Sequence, residues 1–441
     1  MDDLAFARAQ MGLSLAFHIV FAVIGIGMPL LMVISEALWL RTRAPVYLEL
    51  TQRWARGTAI LFAVGAVSGT VLSFELGLLW PRFMEYAGGI IGLPFSLEGF
   101  AFFTEAIFLG IHLYGWARVP ALAHWVAGLV VAVSGTASAV FVVCANAWMN
   151  APTGFRLVDG RVTDVDPIAA MLNPAALPQV VHMVLAAYLA TGFAVAGVHA
   201  WFLLRDRTSV FHRRAFGIAL AVGAVAAPLQ ALSGDLLARM VAARQPVKFA
   251  AMEALYRTQA GAPLTLGGLP DDATMTVRWG LEIPGALSLL AAHDPTAVVR
   301  GLEEFPRDEW PDVLAVHLAF DLMVGLGFIL LALAAWAGWL ALRRRAVPDT
   351  RGFLRAMVAA TPLGFVAIEA GWVVTEMGRQ PWIIYGVMRT ADAVTPMPGL
   401  AVPFAVFTAV YLLLTAILVV LLRRGFLETA PGRRPAPAHD A

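Results

Sequence analysis

The chain has 441 residues, of which 60% are hydrophobic and 14% charged, and its mean hydropathy is +0.75. Soluble domains are about 45–50% apolar and about 25% charged, so this composition excludes a soluble globular fold and a solvated disordered chain. The 31 basic and 30 acidic residues nearly cancel, which leaves no basic footprint for nucleic acid. A single cysteine, Cys144, excludes internal disulfides and four-thiolate metal sites, so a metal here would need His, Met or carboxylate ligands.

An α-helix needs about 20 mostly apolar residues to cross a bilayer, and nine stretches of the sequence meet that requirement. In chain order they are roughly 12–38, 57–79, 96–117, 123–147, 180–204, 214–236, 311–342, 353–377 and 400–422. They predict an all-α integral membrane protein with nine transmembrane helices, six within residues 1–236 and three within residues 311–427. The first stretch follows two aspartates rather than a basic segment, so it is expected to remain as a helix and not to be cleaved as a signal peptide.

The positions of the basic residues predict the orientation of the bundle. Of the 31, 18 lie in the loops on one side, six in the N-terminus and short loops on the other, and seven in one long loop, 237–310. Long loops carry little weight in the positive-inside rule, so the N-terminus is predicted to be periplasmic and the C-terminus cytoplasmic. The long loop is then periplasmic, and loops of this length are usually functional. Residues 428–441 are predicted to form a disordered cytoplasmic tail.

Ionisable groups inside a membrane span are costly and are therefore candidates for function, and two pairs of glutamates in the predicted spans have a regular spacing. Glu98 and Glu105 are seven residues apart in the third span, and Glu369 and Glu376 are seven apart in the eighth. Seven residues return to nearly the same helix face, about 10.5 Å along the axis. Each pair therefore predicts a polar stripe suited to passing protons.

Three further candidates, His18, His182 and Met323, lie in the first, fifth and seventh spans, and imidazole and thioether are the axial ligands of low-spin haem iron. Taken singly, a histidine in a span more often hydrogen-bonds a neighbouring helix, and a methionine packs. The predicted orientation puts these three, Glu98 and Glu376 in one depth band of the outer half, which favours a cofactor cavity. The other span-end histidines are expected to be interfacial: His112, His124, His199 and His212.

The most specific motif runs from Glu369 to Trp382, with the sequence EAGWVVTEMGRQPW. Shorter motifs are Arg8-Ala-Gln10 before His18, Leu97-Glu98-Gly99 through Glu105, Asn146-Ala-Trp148-Met149, Gln179-Val-Val-His182 and Lys248-Phe-Ala-Ala-Met-Glu253. In these motifs the sequence resembles subunit I of the cytochrome bd-type quinol oxidases. The resemblance covers nearly the whole chain, including the nine spans.

The resemblance implies three haems and the residues that ligate them. His182 and Met323 would be the axial ligands of the low-spin haem b558. His18 and Glu376 would ligate the two high-spin haems, b595 and d, where O₂ is reduced. Which of these two residues ligates which high-spin haem stays open.

The resemblance also implies roles for other side chains, and it names a quinol site in the long loop, the Q-loop of the family. The implied roles are proton delivery by Glu98 and Glu105 with Ser138 as a relay, quinol binding by Lys248 and Glu253 with Asp235 nearby, and an environment for the haems made by Glu369, Trp372 and Arg379. Arg379 is suited to pair with haem propionates, because a guanidinium can donate two parallel hydrogen bonds to a carboxylate.

The function implied is quinol:oxygen oxidoreduction in the bacterial cytoplasmic membrane. Ubiquinol or menaquinol would be oxidised on the periplasmic side and O₂ reduced to water with cytoplasmic protons, which generates a proton motive force. The family acts with a second membrane subunit and often with a small single-span one. From the residues alone, two alternatives stay open: a proton-coupled transporter, although no matched broken helices are found, and a b-type membrane cytochrome that does not reduce oxygen.

Two departures from the family pattern bear on these expectations. Asp321, two residues before Met323, stands where some members carry an arginine, so the charge around the low-spin haem is expected to differ. The long loop lacks the insertion of some relatives and, with the stretch from Phe74 to Trp80, resembles the short-loop, cyanide-insensitive branch. In that branch the third haem is open between haem d and a b-type haem.

Overall fold

The computed structural model describes residues 2–158, 161–345 and 347–424, and the predicted tail 428–441 lies outside them. In the described part of the chain, nine helices are long and apolar enough to span a membrane, which confirms the predicted all-α membrane fold. The helices are α1 (Asp3–Thr42), α2 (Pro45–Leu79), α3 (Pro81–Tyr114), α4 (Ala121–Asn150), α5 (Pro167–Met171), α6 (Ala176–Arg205), α7 (Val210–Arg244), α8 (Pro246–Met252), α9 (Ala286–Ala292), α10 (Val313–Arg344), α11 (Arg351–Ala360), α12 (Leu363–Met377), α13 (Thr390–Ala393) and α14 (Ala401–Leu422). Helices α11 and α12 together form the eighth span, and α5, α8, α9 and α13 are short.

Local signals at the start of several helices agree with these bounds. Asp2 caps α1 by accepting a hydrogen bond from the N–H of Ala5 at 2.8 Å. Asp312 caps α10 in the same way, through the N–H of Ala315 at 3.0 Å. Helices α2 and α3 each begin with proline, whose missing N–H would be unpaired in the first turn in any case.

Helix α7 is longer than the sixth apolar stretch and continues to Arg244, whereas the sequence predicts an end at residue 236. Hydropathy marks the part of a helix that contacts lipid and does not detect polar turns beyond it. The long loop therefore begins at residue 245. Asp235, expected just before that loop, lies within α7, where its carboxylate pairs with Arg239 at 2.5 Å.

The eighth span is interrupted, although the sequence analysis predicts one helix over 353–377. Helix α11 ends before Thr361, and α12 begins after Pro362. Proline lacks the N–H that a helix interior requires, and its ring clashes with the carbonyl four residues earlier. The break at Pro362 follows from this local chemistry.

Helix α1 lies at the centre of the bundle and contacts α2, α4, α6 and α14. The pairs α3–α4, α6–α7 and α10–α12 also pack side by side. The largest apolar cluster joins α1, α2, α6, α7, α10 and α11 around Trp54, Phe193, Phe216 and Phe353. Helix α14 lies against α1 and α2 and buries little of its surface within this chain.

Short strands occur only in the connections within the described chain. They are β1 (Arg156–Val158), β2 (Arg161–Thr163), β3 (Gln259–Ala260), β4 (Leu264–Leu266), β5 (Leu269–Asp271), β6 (Thr276–Arg278), β7 (Leu281–Ile283), β8 (Val298–Val299), β9 (Trp382–Ile384) and β10 (Met388–Arg389). All five strand pairs, β1–β2, β3–β8, β4–β7, β5–β6 and β9–β10, are antiparallel.

Residues 245–312 form a folded cap on the bundle and contain α8, α9, β3–β8 and two 3-10 turns. Apolar side chains of the cap, including Phe249, Tyr256 and Leu302, pack together and against Val313 of α10. The long loop is therefore a structured element with its own apolar core. We call the end of the bundle that carries it the loop end; helices α1, α3, α6 and α10 begin there.

Candidate active site

His18 lies on α1 and faces α2. Its ring Nδ1 is 3.0 Å from the hydroxyl of Ser68. The ring also lies against Gly69, where a Cβ atom would come within 2.9 Å of His18 Cε1, so a larger residue would push the ring away. A histidine held through one ring nitrogen presents the other in a fixed direction, as metal-ligating histidines do.

His182 lies on α6 and faces α7. Its Nδ1 is 3.0 Å from the hydroxyl of Ser233, and the amide nitrogen of Gln230 is 3.1 Å from its Nε2. The same amide nitrogen is 3.3 Å from Nδ1, so Gln230 lies beside both ring nitrogens. Gln230 is absent from the sequence prediction, although an amide within a span is itself a polar signal.

Met323 lies on α10 against α12. A Cβ atom on Gly371 would be 2.9 Å from Met323 Sδ, so the two helices approach closely here. Helix α12 contacts both α10 and α6, the helices that carry Met323 and His182. Beside Gly371, Trp372 packs on the apolar cluster shared by α1 and α6. Glu369 has a buried Oε1 without a hydrogen-bond partner among the described residues.

Glu376 lies near the end of α12 at the loop end and is held from two sides. Arg379 Nη2 donates to Glu376 Oε2, and Asn146 Nδ2 donates to Glu376 Oε1, both at 2.5 Å. Arg379 is only 2% exposed, and its Nε and Nη1 are buried without a partner in the part of the chain that the structure describes. Because buried polar groups are normally hydrogen-bonded, these nitrogens fit an additional anionic group, and a haem propionate has the matching carboxylate.

Lys248 points into the bundle, although it belongs to the loop. It is 3% exposed, and its Nζ donates to Asn150 Oδ1 at 2.7 Å and to the carbonyl of Thr375 at 3.1 Å. Asn150 Nδ2 in turn donates to Asn146 Oδ1 at 3.1 Å, and Asn146 donates to Glu376. A continuous hydrogen-bonded chain thus joins the loop lysine to the carboxylate of α12.

The buried position of Lys248 changes the pKa of its ammonium group. Burial, and after it the positive charge of Arg379, lowers the pKa of Lys248 well below its usual value, while the carboxylate of Glu376 acts in the opposite direction. Gln245 also donates to Asn150, at 3.1 Å. Asn150 is absent from the sequence prediction, although it follows Asn146 by one helical turn and could have been noticed as a second amide on that face.

Glu253 follows α8 and is buried beside α10. Burial, and after it the negative charge of Asp321, raises the pKa of Glu253 to about 8. Asp321 accepts a hydrogen bond from the N–H of Gly267 at 2.7 Å and so ties the loop to α10. One turn earlier, the buried His317 is 2.8 Å from the carbonyl of Met252 and 3.1 Å from that of Gly267. His317 is absent from the sequence prediction, although its spacing of four residues from Asp321 places the two on one helix face.

Glu98 and Glu105 lie along the seam between α3 and α4. Ser138 donates to Glu98 Oε1 at 3.2 Å. Glu105 is buried next to Gly135, where a Cβ atom would come within 3.0 Å of its carboxylate. The structure therefore brings both carboxyls against the same neighbouring helix.

The depth of the candidate groups can be compared along α4. Ser138, the partner of Glu98, and Asn146, the partner of Glu376, are eight residues apart, or about 12 Å along the helix axis. Glu98 is therefore deeper from the loop end than Glu376. The candidate residues are therefore spread over a range of depths, whereas the sequence predicts one narrow depth band.

The histidines at the opposite end of the bundle are buried, and the prediction that they are interfacial is wrong. Three of the four, His124, His199 and His212, have a polar partner on another helix. His124 Nδ1 is 2.7 Å from Glu36 Oε1, close to His112. His199 Nδ1 is 2.9 Å from His212 Nδ1.

These features define a class: a multi-pass membrane protein with His, Met and carboxylate side chains within its spans and a buried arginine paired with one of the carboxylates, as expected of a membrane redox protein. Residues 6–429 match the family described as cytochrome bd terminal oxidase subunit I. The chain belongs to this family.

Similar proteins agree with this membership. The bd oxidase structure from Geobacillus thermodenitrificans matches with a TM-score of 0.91 and 39% identity, covering 97% of this chain and 99% of that one. A Bacillus subtilis protein named as a cytochrome bd menaquinol oxidase subunit I is 39% identical over 96% of both chains. The cytochrome bd-II ubiquinol oxidase subunit 1 of Escherichia coli is 29% identical over 89% of this chain and 90% of that one.

Membership in the family establishes the general function. The chain is a multi-pass bacterial membrane protein and a subunit of a terminal quinol oxidase, an oxidoreductase that uses quinol. Haem cofactors and a second subunit are properties of this family.

Proposed function

We propose that the subunit oxidises quinol at the loop end, on the periplasmic side, and supports reduction of O₂ to water with protons from the cytoplasm. The observation that carries this proposal is the buried chain of hydrogen bonds from Lys248 through Asn150 and Asn146 to Glu376. It joins the residue proposed to bind quinol to a residue proposed to ligate haem. Because the two half-reactions exchange protons with opposite sides, turnover generates a proton motive force.

The proposed cofactors are haem b558, held by His182 and Met323, and two high-spin haems, b595 and either d or a third b-type haem, held by His18 and Glu376. Haem supplies reversible electron transfer and the iron to which O₂ binds. The two unpartnered nitrogens of Arg379 support its role in holding a propionate.

Helix α12 presents several of the proposed cofactor-binding residues. Glu369, Trp372 and Glu376 are three and four residues apart and therefore share one face of this helix. Gly371, where α12 approaches Met323, lies about 100–160° around the helix from these three residues, so α12 contacts Met323 through a different face. We propose that the shared face forms one wall of the haem sites, while the protons reach them from the other side of the bundle, through Glu105, Glu98 and Ser138.

We propose that quinol, either ubiquinol or menaquinol, binds between α8 and α10 within reach of Lys248 and Glu253. An ammonium group has three N–H donors, and Lys248 uses one on Asn150 and one on Thr375. The third, present when Lys248 is protonated, would contact a quinol oxygen, and the neighbouring carboxylate of Glu376 favours that charged form. The partner is subunit II of the oxidase, with a small single-span subunit as a further proposed partner.

Lys248→Met tests the quinol site. A hydrogen bond to a charged group contributes roughly 1.5–3 kcal/mol, and 1.4 kcal/mol is a factor of ten, so we expect KM for quinol to rise about tenfold or more. Haem content should be unchanged. The control is Arg278→Met, which removes a cation that pairs with Asp271 on the exposed part of the same loop. An unchanged KM in Lys248→Met would contradict the proposed contact.

The raised pKa of Glu253 predicts that quinol oxidation depends on pH. With a pKa of about 8, its carboxyl is mostly protonated at neutral pH, and the basic form that accepts a proton from quinol increases about tenfold per pH unit until the pKa is reached. We expect kcat/KM for quinol to rise with pH and to level off above about 8. Glu253→Gln should lower this constant and abolish the rise.

The control is Glu282→Gln, which changes an exposed carboxyl of the same loop. It should keep both the rate and the rise with pH. Oxygen-coupled quinol oxidation is measured at equal haem content over this pH range. The same rising profile in Glu253→Gln would show that another group accepts the proton.

A further inference from the structure

Three ligating side chains meet at the end of the bundle opposite the loop, away from the proposed haem and quinol residues. Glu36 lies on α1, His112 on α3 and His124 on α4, and all three are at most 2% exposed. Their ligand atoms lie within 4.8 Å of one another. Among the described residues, they form the one group of three or more His, Cys, Asp or Glu side chains with this proximity.

The orientation of His124 is that of a metal ligand. Its Nε2 is 2.9 Å from the carbonyl of His112 and therefore carries a proton, which leaves Nδ1 as the lone-pair nitrogen in the neutral ring. Nδ1 points at Glu36 Oε1, at 2.7 Å. Histidines that bind metals usually donate their other N–H to a carbonyl or carboxylate in this way. Trp125 Nε1 donates to the carbonyl of Val33 at 3.1 Å and holds α4 against α1 beside the group.

The hydrogen bonds within the group leave ligand atoms unsatisfied. Glu36 Oε2 and both ring nitrogens of His112 are buried without a partner in the described chain, and His112 Nδ1 is 3.8 Å from Glu36 Oε2. Buried polar atoms without partners are rare and unfavourable. A cation between these atoms would satisfy Glu36 Oε2 and His112 Nδ1 together.

We propose that Glu36, His112 and His124 bind a divalent first-row transition metal, for which Zn²⁺ is the best match. Two imidazoles and a carboxylate, without a thiolate, are a common ligand set for zinc. With metal–ligand distances of about 2.0–2.2 Å, ligand atoms of a tetrahedral site lie about 3.3 Å apart. Glu36 Oε1 is 2.7 Å from His124 Nδ1, and Glu36 Oε2 is 3.8 Å from His112 Nδ1. These distances lie on either side of about 3.3 Å, so small side-chain rotations would bring the three ligands to tetrahedral spacing.

Neighbouring residues leave room for these rotations and cover the site. Gly128 on α4 faces His112, and a Cβ atom there would come within 3.0 Å of Nδ1. The ring of Trp116, in the turn between α3 and α4, lies over His124 with centroids 3.8 Å apart. An ion would therefore be shielded from solvent and exchange slowly.

The pair His199 and His212 provides the matched control, because it lies at the same end of the bundle and is also buried. Its two Nδ1 atoms are 2.9 Å apart, and His199 Nε2 accepts from Trp54 at 3.4 Å. No carboxylate completes a group of three ligands there within the described chain. This pair is therefore expected not to hold a metal.

The experiment measures zinc in the purified two-subunit oxidase after incubation with ZnCl₂ and removal of free metal. We expect one zinc per subunit I by elemental analysis, and X-ray absorption at the zinc edge should show two imidazoles and a carboxylate oxygen at about 2.0–2.2 Å. Glu36→Gln, His112→Gln and His124→Gln should each weaken zinc binding at least tenfold with unchanged haem spectra. His212→Gln should bind zinc like the unmodified protein.

Three results would overturn the proposal: an unmodified oxidase that retains no zinc, zinc ligation without imidazole, or a zinc affinity of His112→Gln and His124→Gln equal to that of the unmodified protein. X-ray absorption at the zinc edge identifies the ligands in the unmodified protein, even if a variant fails to assemble. His112 follows Glu105 by seven residues and shares its face of α3, so the group could instead extend the proposed proton stripe. If these residues only carry protons, the oxidase should bind no zinc. Zinc content is measured without turnover, so failure of the proton proposal would leave the zinc result unaffected.

Discussion

Glu105→Gln is expected to lower quinol-supported oxygen uptake by roughly 100-fold, because proton transfer by a positioned side chain contributes typically 10²–10⁴-fold to a rate. Glu105 is buried on the seam between α3 and α4, where it would pass protons toward Glu98 and Ser138. Glutamine keeps the shape of the side chain but carries no exchangeable acidic proton. Reduction of the low-spin haem by quinol should persist, because quinol reacts at the loop end.

The comparison that isolates this effect is steady-state oxygen uptake beside quinol-driven haem reduction in the same preparation. Glu85→Gln, on an exposed part of the same helix, is the control and should retain full uptake. Glu98→Gln should lower uptake and also change the high-spin spectra, since Glu98 is nearer the proposed haems. Near-normal uptake in Glu105→Gln would mean that protons enter elsewhere and that the stripe on α3 is structural.

Removal of either proposed axial ligand is expected to have an effect at least as large. His182→Ala and Met323→Leu should each abolish the low-spin haem signal and nearly all oxygen uptake, because six-coordinate low-spin iron needs both strong ligands. The high-spin signals should remain, because His18 and Glu376 are unchanged. Difference spectra of the reduced and oxidised protein, with a count of haem per subunit, provide the measurement.

His199→Ala is the matched control for this prediction. It removes another buried histidine of α6, one that contacts His212 and Trp54 instead of the proposed site. Its spectra should be those of the unmodified protein. His18→Ala should give the complementary result, with altered high-spin signals and an intact low-spin signal. An unchanged low-spin spectrum in His182→Ala or Met323→Leu would show that the proposed ligand is wrong.

The long loop is connected to the bundle by polar contacts that bear on electron entry. Lys248 donates to Asn150 of α4, and Gly267 donates to Asp321 of α10. The departure from the family pattern at Asp321 thus has a structural role in this chain, since it fixes the loop beside Glu253. Variants of Asp321 are therefore expected to change quinol oxidation through the position of the loop.

The sequence by itself determined the class of fold and the family. Hydropathy and length are properties of each segment taken alone, so nine spans could be predicted before any packing was known. The motif from Glu369 to Trp382 is contiguous, and the family could be identified from it and from the shorter motifs. Carboxylates seven residues apart share a helix face by geometry alone, and the structure brings Glu98 and Glu105 to one seam.

Only the tertiary structure decided which polar groups are partners. Lys248 and Asn150 are 98 residues apart, and Glu36 and His124 are 88 apart, so neither contact follows from local spacing. Lys248 could equally have been a solvated surface charge, and His124 was predicted to be interfacial. Burial of a polar side chain depends on whether another helix supplies its hydrogen-bond partner, and that depends on how the helices pack.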